Sequence, residues 1–204
     1  MNTGRFITFE GPDGAGKTTQ IARIEAWLGA EGRTVVRTRE PGGDAVGEKV
    51  RGLLLGTAMT PEAEFLLFAA ARAQNVAEVV EPALAAGAVV LCDRFTDSSL
   101  AYQGHARGLS LDFIRAANTF ATRGRVPDRT VLLDLPAEVG SERRRREGDG
   151  NRLDNETLAF HRAVREGYLQ IAAAEPDRFV IVDAGRDPDA VFEDVRAAVR
   201  AALG

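Results

Sequence analysis

The segment Gly11-Pro12-Asp13-Gly14-Ala15-Gly16-Lys17-Thr18, followed by Thr19, constrains this chain more than any other stretch. It lies between the apolar run 6–9 and a helical pattern, the strand-to-helix setting such a motif requires. Glycines let the backbone turn tightly, so successive N–H groups point inward and the following helix adds its positive end. The product is a cradle for the phosphates of a nucleoside triphosphate, with Lys17 reaching the β- and γ-phosphates and the Thr18 hydroxyl on Mg²⁺. Lys17 is also unusual by type. Only two of the 26 cations are lysine, Lys17 and Lys49, so this chain writes its surface charge as arginine.

Four further β-rich runs, 34–38, 88–92, 130–134 and 178–182, alternate with helical patterns along the whole length. Several are continuously apolar, as strands covered on both faces are. Ile21, Ile24 and Leu28 recur at helical spacing. Residues 61–86 form a long Ala- and Leu-rich stretch that Pro82 should end or bend near Val80. Asp154 opens the next helical pattern, to Ala174, and Asp187-Pro188 is an N-cap and first-turn pair before Val191, Val195 and Val199. This alternation predicts an α/β fold of the P-loop NTPase type: a five-stranded parallel sheet, helices on both faces, and ligands at the carboxyl ends of the strands. No repeat or linker divides the chain, so residues 1–204 read as one domain. The glycine- and arginine-rich segment 141–151 reads as a mobile insertion in it.

Composition narrows the classes. At 45% apolar and 27% charged, with no long uncharged apolar run, the chain is neither a membrane span nor a disordered or fibrous protein. A net charge of −4 with scattered cations argues against nucleic acid as a partner. The first residues carry no charged leader or apolar signal, and the single cysteine, Cys92, sits in an apolar run. Both point to a cytoplasmic protein with a buried structural thiol.

The acceptor side must separate a kinase from a GTPase or a mechanical ATPase. Run 88–92 ends in Asp93-Arg94, placing a carboxylate able to join the magnesium shell and a phosphate-clamping guanidinium beside the triphosphate. No N-K-x-D base-reading motif is present. The P-loop, Arg39-Glu40-Pro41-Gly42-Gly43, Phe68-Ala69-Ala70-Ala71-Arg72, Asp93-Arg94 with Asp97-Ser98-Ser99, Ala101-Tyr102-Gln103-Gly104 and Asn151-Arg152-Leu153-Asp154 together resemble bacterial thymidylate kinases, in order, from about residue 5 to 185. Adenylate and other nucleoside monophosphate kinases share only the first and fourth pieces.

That resemblance implies ATP as phosphoryl donor, Mg²⁺, dTMP as acceptor and a homodimer. It implies that a pyrimidine stacks on Phe68 while Arg72 donates to its 4-carbonyl, Phe68 and Arg72 being i and i+4 on one helix. Ser99 and Gln103 would line the base and Tyr102 would crowd the sugar 2′ position. Arg51 and Arg94, with Arg39 a further candidate, would neutralise the acceptor phosphate. Glu40 would contact the acceptor side, across a cis bond to Pro41. Asp13 would face the acceptor. An arginine-rich lid over 141–153 would supply transition-state cations, Arg143 and Arg145 aligning best and Arg152 resembling one at its end. The loop Asp183-Ala184-Gly185-Arg186 would lie against adenine. Two alternatives stay open: another P-loop monophosphate kinase acting on dUMP or CMP, and a nucleotide-dependent switch or ATPase module. His105 and His161 show no metal-ligand spacing and read as surface or structural.

Overall fold

A computed structural model describes residues 4–148, 150 and 152–204, the Glu147 side chain excepted. Met1 to Thr3, Asp149 and Asn151, which belong to the chain start and the lid reading, lie outside the described residues. Every expected strand is present with ends within one residue: β1 (Arg5–Glu10), β2 (Val35–Arg39), β3 (Val89–Asp93), β4 (Arg129–Asp134) and β5 (Phe179–Asp183). They form one parallel sheet in the order β2-β3-β1-β4-β5, so β1 lies at the centre, where the winding changes direction. In such sheets the crevice beyond the carboxyl ends at that point is where ligands bind.

The two-residue period of β1 serves both faces of the sheet. Ile7 and Phe9 face a core made with Ile21, Ile24 and Leu28 of α1 (Lys17–Ala30) and Val191, Val195 and Val199 of α9 (Pro188–Leu203). Phe6 faces the other way, against Val76, Val80, Cys92 and Phe95. Thr8, on that second face, is fully buried because its hydroxyl pairs with that of Thr130 at 2.8 Å. Asp187 caps α9 as expected, accepting from Asp189 N.

Three local expectations change. The stretch from residue 61 does not end before Pro82. α2 (Ala45–Gly56) is followed by α3 (Pro61–Asn75), which widens into a π turn over Val76–Val80 and then continues as α4 (Glu81–Ala85). Glu81 N–H donates to Val76 O, five residues back, and this wide turn absorbs the bond that proline cannot make. A second π segment, Leu100–Ala106, follows α5 (Thr96–Ser99). After α6 (Leu111–Thr122) and α7 (Ala137–Glu147), helix α8 runs Leu158–Ala174 and begins four residues later than expected. Thr157 is its cap, accepting from Phe160 N, while Asp154 instead pairs with Arg144 at 2.8 Å. Residues 141–147 are the last turns of α7 rather than part of a loop insertion. No helix among the described residues is long and apolar enough to cross a membrane.

Candidate active site

The P-loop leaves β1 at Gly11 and enters α1 at Lys17. Two glycines are required here. Gly11 has φ +136°, and a Cβ would fall 2.3 Å from Leu133 O; Gly14 has φ +77°, and a Cβ would fall 2.5 Å from Gly140 O. The Lys17 ammonium crosses the loop to donate to Gly11 O (3.0 Å) and Pro12 O (2.9 Å). Burial and then the Arg94 charge pull its pKa down to about 8, against the opposing carboxylates of Asp93, Asp13 and Glu10. Thr18 Oγ1 donates to Asp93 Oδ2 at 3.2 Å, and both line a solvent-open cleft with Gly14, Gly16, Lys17 and Thr19. Ala15 is buried beneath the loop.

Beside this cleft lies a second cavity, lined by every residue expected on the acceptor side except Arg39, which lies on the first cleft. Glu40 and Pro41 follow β2 and are joined by a cis bond. Phe68 and Arg72 come from α3, Ser99 from the end of α5, and Tyr102 and Gln103 from the second π segment. Phe68 is half-buried, whereas the core position on that helix belongs to Phe65. Arg72 is 1% exposed. Its Nε donates to Glu40 Oε2 (2.7 Å), Nη1 to Ser99 Oγ (3.1 Å) and Asn118 Oδ1 (2.6 Å), and Nη2 to Phe95 O (3.0 Å). Burial pushes the Glu40 carboxyl up, and Arg72 with Asn75 pulls it back. Gln103 Nε2 is fixed on Glu64 Oε1 at 2.8 Å. Arg51 Nη1 donates to Pro41 O, placing its guanidinium on both cavities. Arg39 forks onto the exposed Glu48.

The two cavities share Asp13, Glu40, Arg51 and Arg94. Among the described residues, Arg94 is one of two non-glycine residues with positive φ (69°), a conformation that costs energy and turns its side chain toward Gly11. The buried Cys92 thiol, as expected a structural one, donates to Arg94 O. Arg94 Nη2 bonds Asp13 Oδ1 at 2.6 Å, and the Tyr102 hydroxyl donates to Asp13 Oδ2 at 2.7 Å. Burial alone would raise the Asp13 carboxyl, but the charges of Arg94 and Lys17 and the Tyr102 hydroxyl hold it well below the usual range. Asp13 is therefore an anion at any physiological pH.

The lid arginines separate by helical phase. Arg143 Nη1 donates to Gly14 O (3.2 Å) and Ala184 O (3.3 Å), bridging the P-loop and the loop after β5. Arg144 lines the phosphate cleft and forks onto Asp154. Arg145 lies outside that cleft, three-quarters exposed and paired, like Arg146, with Glu142. Residues two apart on a helix differ by about 200°, so Arg143 and Arg145 cannot both face inward. Arg152 is turned toward the acceptor side, donating to Leu54 O (3.1 Å) and Glu64 Oε2 (2.6 Å).

Sequence reasoning missed Glu10, Glu64 and Tyr168. Glu10 ends β1 fully buried, and burial together with the Asp97 charge pushes its carboxyl up to about 7 against the pull of Arg94, Ser98 and Tyr168. A lone acid closing an apolar central strand was the available signal. Glu64 and Tyr168 sit at helical positions that read as an ordinary first-turn acid and a core aromatic. His161 is buried beside Asp13 and Arg144, and thus structural rather than on the surface.

Known proteins share this arrangement's sequence. The thymidylate kinase family profile matches residues 9–195. The chain is 52% identical over 201 residues to the thymidylate kinase of Deinococcus radiodurans, covering 98% of both chains. It is 50% identical to that of Desulfovibrio desulfuricans (97% and 96% covered) and 49% identical to that of a Geobacillus species (96% of each). With a P-loop cleft adjoining a second cavity, and with this similarity over nearly its whole length, the chain belongs to the thymidylate kinase family.

Proposed function

We propose that this chain transfers the γ-phosphoryl group of ATP to the 5′-phosphate of dTMP, giving dTDP and ADP. The observation that carries the reading is the overlap of the two cavities at Asp13, Glu40, Arg51 and Arg94, which supports an acceptor phosphate held by Arg94 and Arg51 beside the triphosphate over Lys17. An acceptor-phosphate oxygen attacks Pγ, and the bond from Pγ to the β,γ-bridging oxygen breaks, ADP leaving with the electron pair. A phosphate monoester has its second pKa near ~6, so the nucleophile arrives ionised and needs no general base. Asp13, held strongly acidic, is a poor base and serves instead to pin Arg94 and Tyr102. Catalysis here is positioning and charge neutralisation.

The Thr18 hydroxyl and the Asp93 carboxylate are hard oxygen donors at the triphosphate end, and they fit Mg²⁺, which takes one or two protein oxygens and completes its shell with phosphates and water. When bound, the ion neutralises charge on the β- and γ-phosphates. On the acceptor side Phe68 offers a ring for the base. Arg72 keeps one Nη2 hydrogen beyond its four bonds for a pyrimidine carbonyl, Ser99 and Gln103 complete that wall, and Tyr102 narrows the sugar position. Arg143 and Arg144 are the lid cations on the donor side, with Arg152 tying the lid's end to the acceptor wall. We further propose a cytoplasmic homodimer. Phe113 and Phe120, seven apart on one face of α6, are 56% and 87% exposed, and α3 beside it exposes Leu66, a surface suited to a second copy. Incubation with Mg·ATP and either dTMP or thymidine tests the reading: dTDP should form and thymidine should stay unphosphorylated. Absence of dTDP, or phosphorylation of thymidine, would overturn it.

A further inference from the structure

Beside Arg94, the buried end of β1 meets Tyr168 of α8. Glu10 is fully buried there, and four donors converge on it. Oε1 accepts from Phe95 N (2.7 Å) and Ser98 N (3.3 Å); Oε2 accepts from Ser98 Oγ (2.6 Å) and Tyr168 OH (2.8 Å). The two hydroxyls also lie 2.8 Å from each other, so both of their protons are spent within the Glu10–Ser98–Tyr168 triangle. Each hydroxyl then presents only lone pairs to Arg94. Arg94 Nη1 donates to Tyr168 OH at 3.0 Å and approaches Ser98 Oγ at 3.4 Å, while its second hydrogen goes to Gly11 O at 3.1 Å.

One edge of the guanidinium is thereby consumed by Glu10's two relays and the P-loop carbonyl. The opposite edge is left for chemistry. Nη2 bonds Asp13, and Nε together with the remaining Nη2 hydrogen has no protein partner among the described residues. An Nε/Nη2 pair is the fork that grips two oxygens of a phosphate. A side chain rising from a positive-φ residue has no helix or strand to fix its direction, so its aim must come from such contacts.

We propose that Glu10 is a positioning residue for phosphoryl transfer: through the Ser98 and Tyr168 hydroxyls it orients the Arg94 guanidinium so that the Nε/Nη2 edge faces the acceptor phosphate. This rests on the reading of Arg94 as the acceptor-phosphate clamp. A carboxylate is needed because an amide at position 10 brings its own N–H groups. One hydroxyl must then turn its proton toward Nη1, setting donor against donor.

The test is a double-mutant cycle of Glu10→Gln with Arg94→Ala, with Tyr168→Phe as a second probe that keeps the ring and removes the relay, assayed at about pH 8, above the Glu10 value of about 7. Glu10→Gln should lower kcat/KM for dTMP by at least ~10-fold while the ATP dissociation constant stays within ~2-fold, and Tyr168→Phe should do the same to a smaller extent. On the Arg94→Ala background neither change should cause further loss, because the residue they act through is gone. Additive losses, or equal weakening of ATP and dTMP, would mark Glu10 as merely structural and overturn the inference. If Glu10→Gln does not fold, the Tyr168→Phe cycle decides alone. If Arg94→Ala itself leaves dTMP turnover intact, it is the clamp reading that fails.

Discussion

Arg72 has the largest fully buried side chain in the protein, and replacing it by leucine should be among the most destabilising single changes available. The magnitude follows from its four bonds. Ser99, Asn118 and Phe95 each lose a neutral or carbonyl contact worth about 1 kcal/mol net. Glu40, 2% exposed at its side chain, loses the ionic partner it holds at 2.7 Å. Removing one member of a buried, hydrogen-bonded pair typically costs about 3–5 kcal/mol in all, these contacts included, because the other charge remains in a medium that solvates it poorly. Glu40 has a way to limit that cost. Its carboxyl already lies above the usual range through burial, and Arg72 is the group holding it down, so losing Arg72 lets it rise further and take up a proton. The folded variant then binds a proton that the unfolded chain gives up above its ordinary value of 4.5, so its stability rises as pH falls toward that value. Urea unfolding of Arg72→Leu should show a loss of about 3–5 kcal/mol near pH 8 and a smaller one near pH 5.5, and adding Glu40→Gln should recover part of it. A loss below about 1 kcal/mol, or the same loss at both pH values, would refute the reasoning.

Three other outcomes follow from the site. Phe68→Ala should raise KM for dTMP at little cost in stability, whereas Phe65→Ala, in the core, should cost about 3–5 kcal/mol with any folded protein retaining its KM; the reverse pattern would make Phe68 a core residue. Because the Lys17 ammonium is held near 8 in the ligand-free protein, kcat/KM for ATP should fall as pH rises through about 8, and a profile flat to about pH 10 would contradict it. Arg143→Ala should reduce kcat by at least about tenfold and Arg145→Ala by no more than about twofold, since only the first reaches the P-loop. Equal effects would mean that the lid helix turns when nucleotide binds.

Strands were legible to within a residue because runs such as Phe6-Ile7-Thr8-Phe9 are short, mostly apolar and alternate with helical patterns, as strands covered on both faces do. The π turns were not, since a widened turn is set by what must fit beneath it. Val76–Val80 makes room for a proline inside one long helical stretch, and Leu100–Ala106 carries Tyr102 and Gln103 without a helical pattern of its own in the sequence. The start of α8 went to Asp154 by residue type, but type alone does not separate a cap from an ion-pair partner, and Thr157 takes the cap. Four consecutive arginines have no internal phase, so the inward pair, Arg143 and Arg144, emerges only once α7 has a direction. The acceptor wall was visible through family-like motifs. What lies behind it, Glu10 to Tyr168 and Glu64 to Gln103, depends on contacts between residues 158 and 39 positions apart and leaves no local trace.

The account's central claim is that the cavity walled by Phe68, Arg72, Ser99 and Gln103 presents dTMP to the P-loop. ADP release from Mg·ATP, measured with dTMP, dUMP, CMP, AMP or GMP added one at a time, tests it most directly. The account predicts a large rate with dTMP and small ones with CMP and the purines. Preference for CMP or AMP would contradict the reading of the acceptor wall while leaving the P-loop assignment standing, and a slow rate unaltered by every monophosphate would contradict the account as a whole.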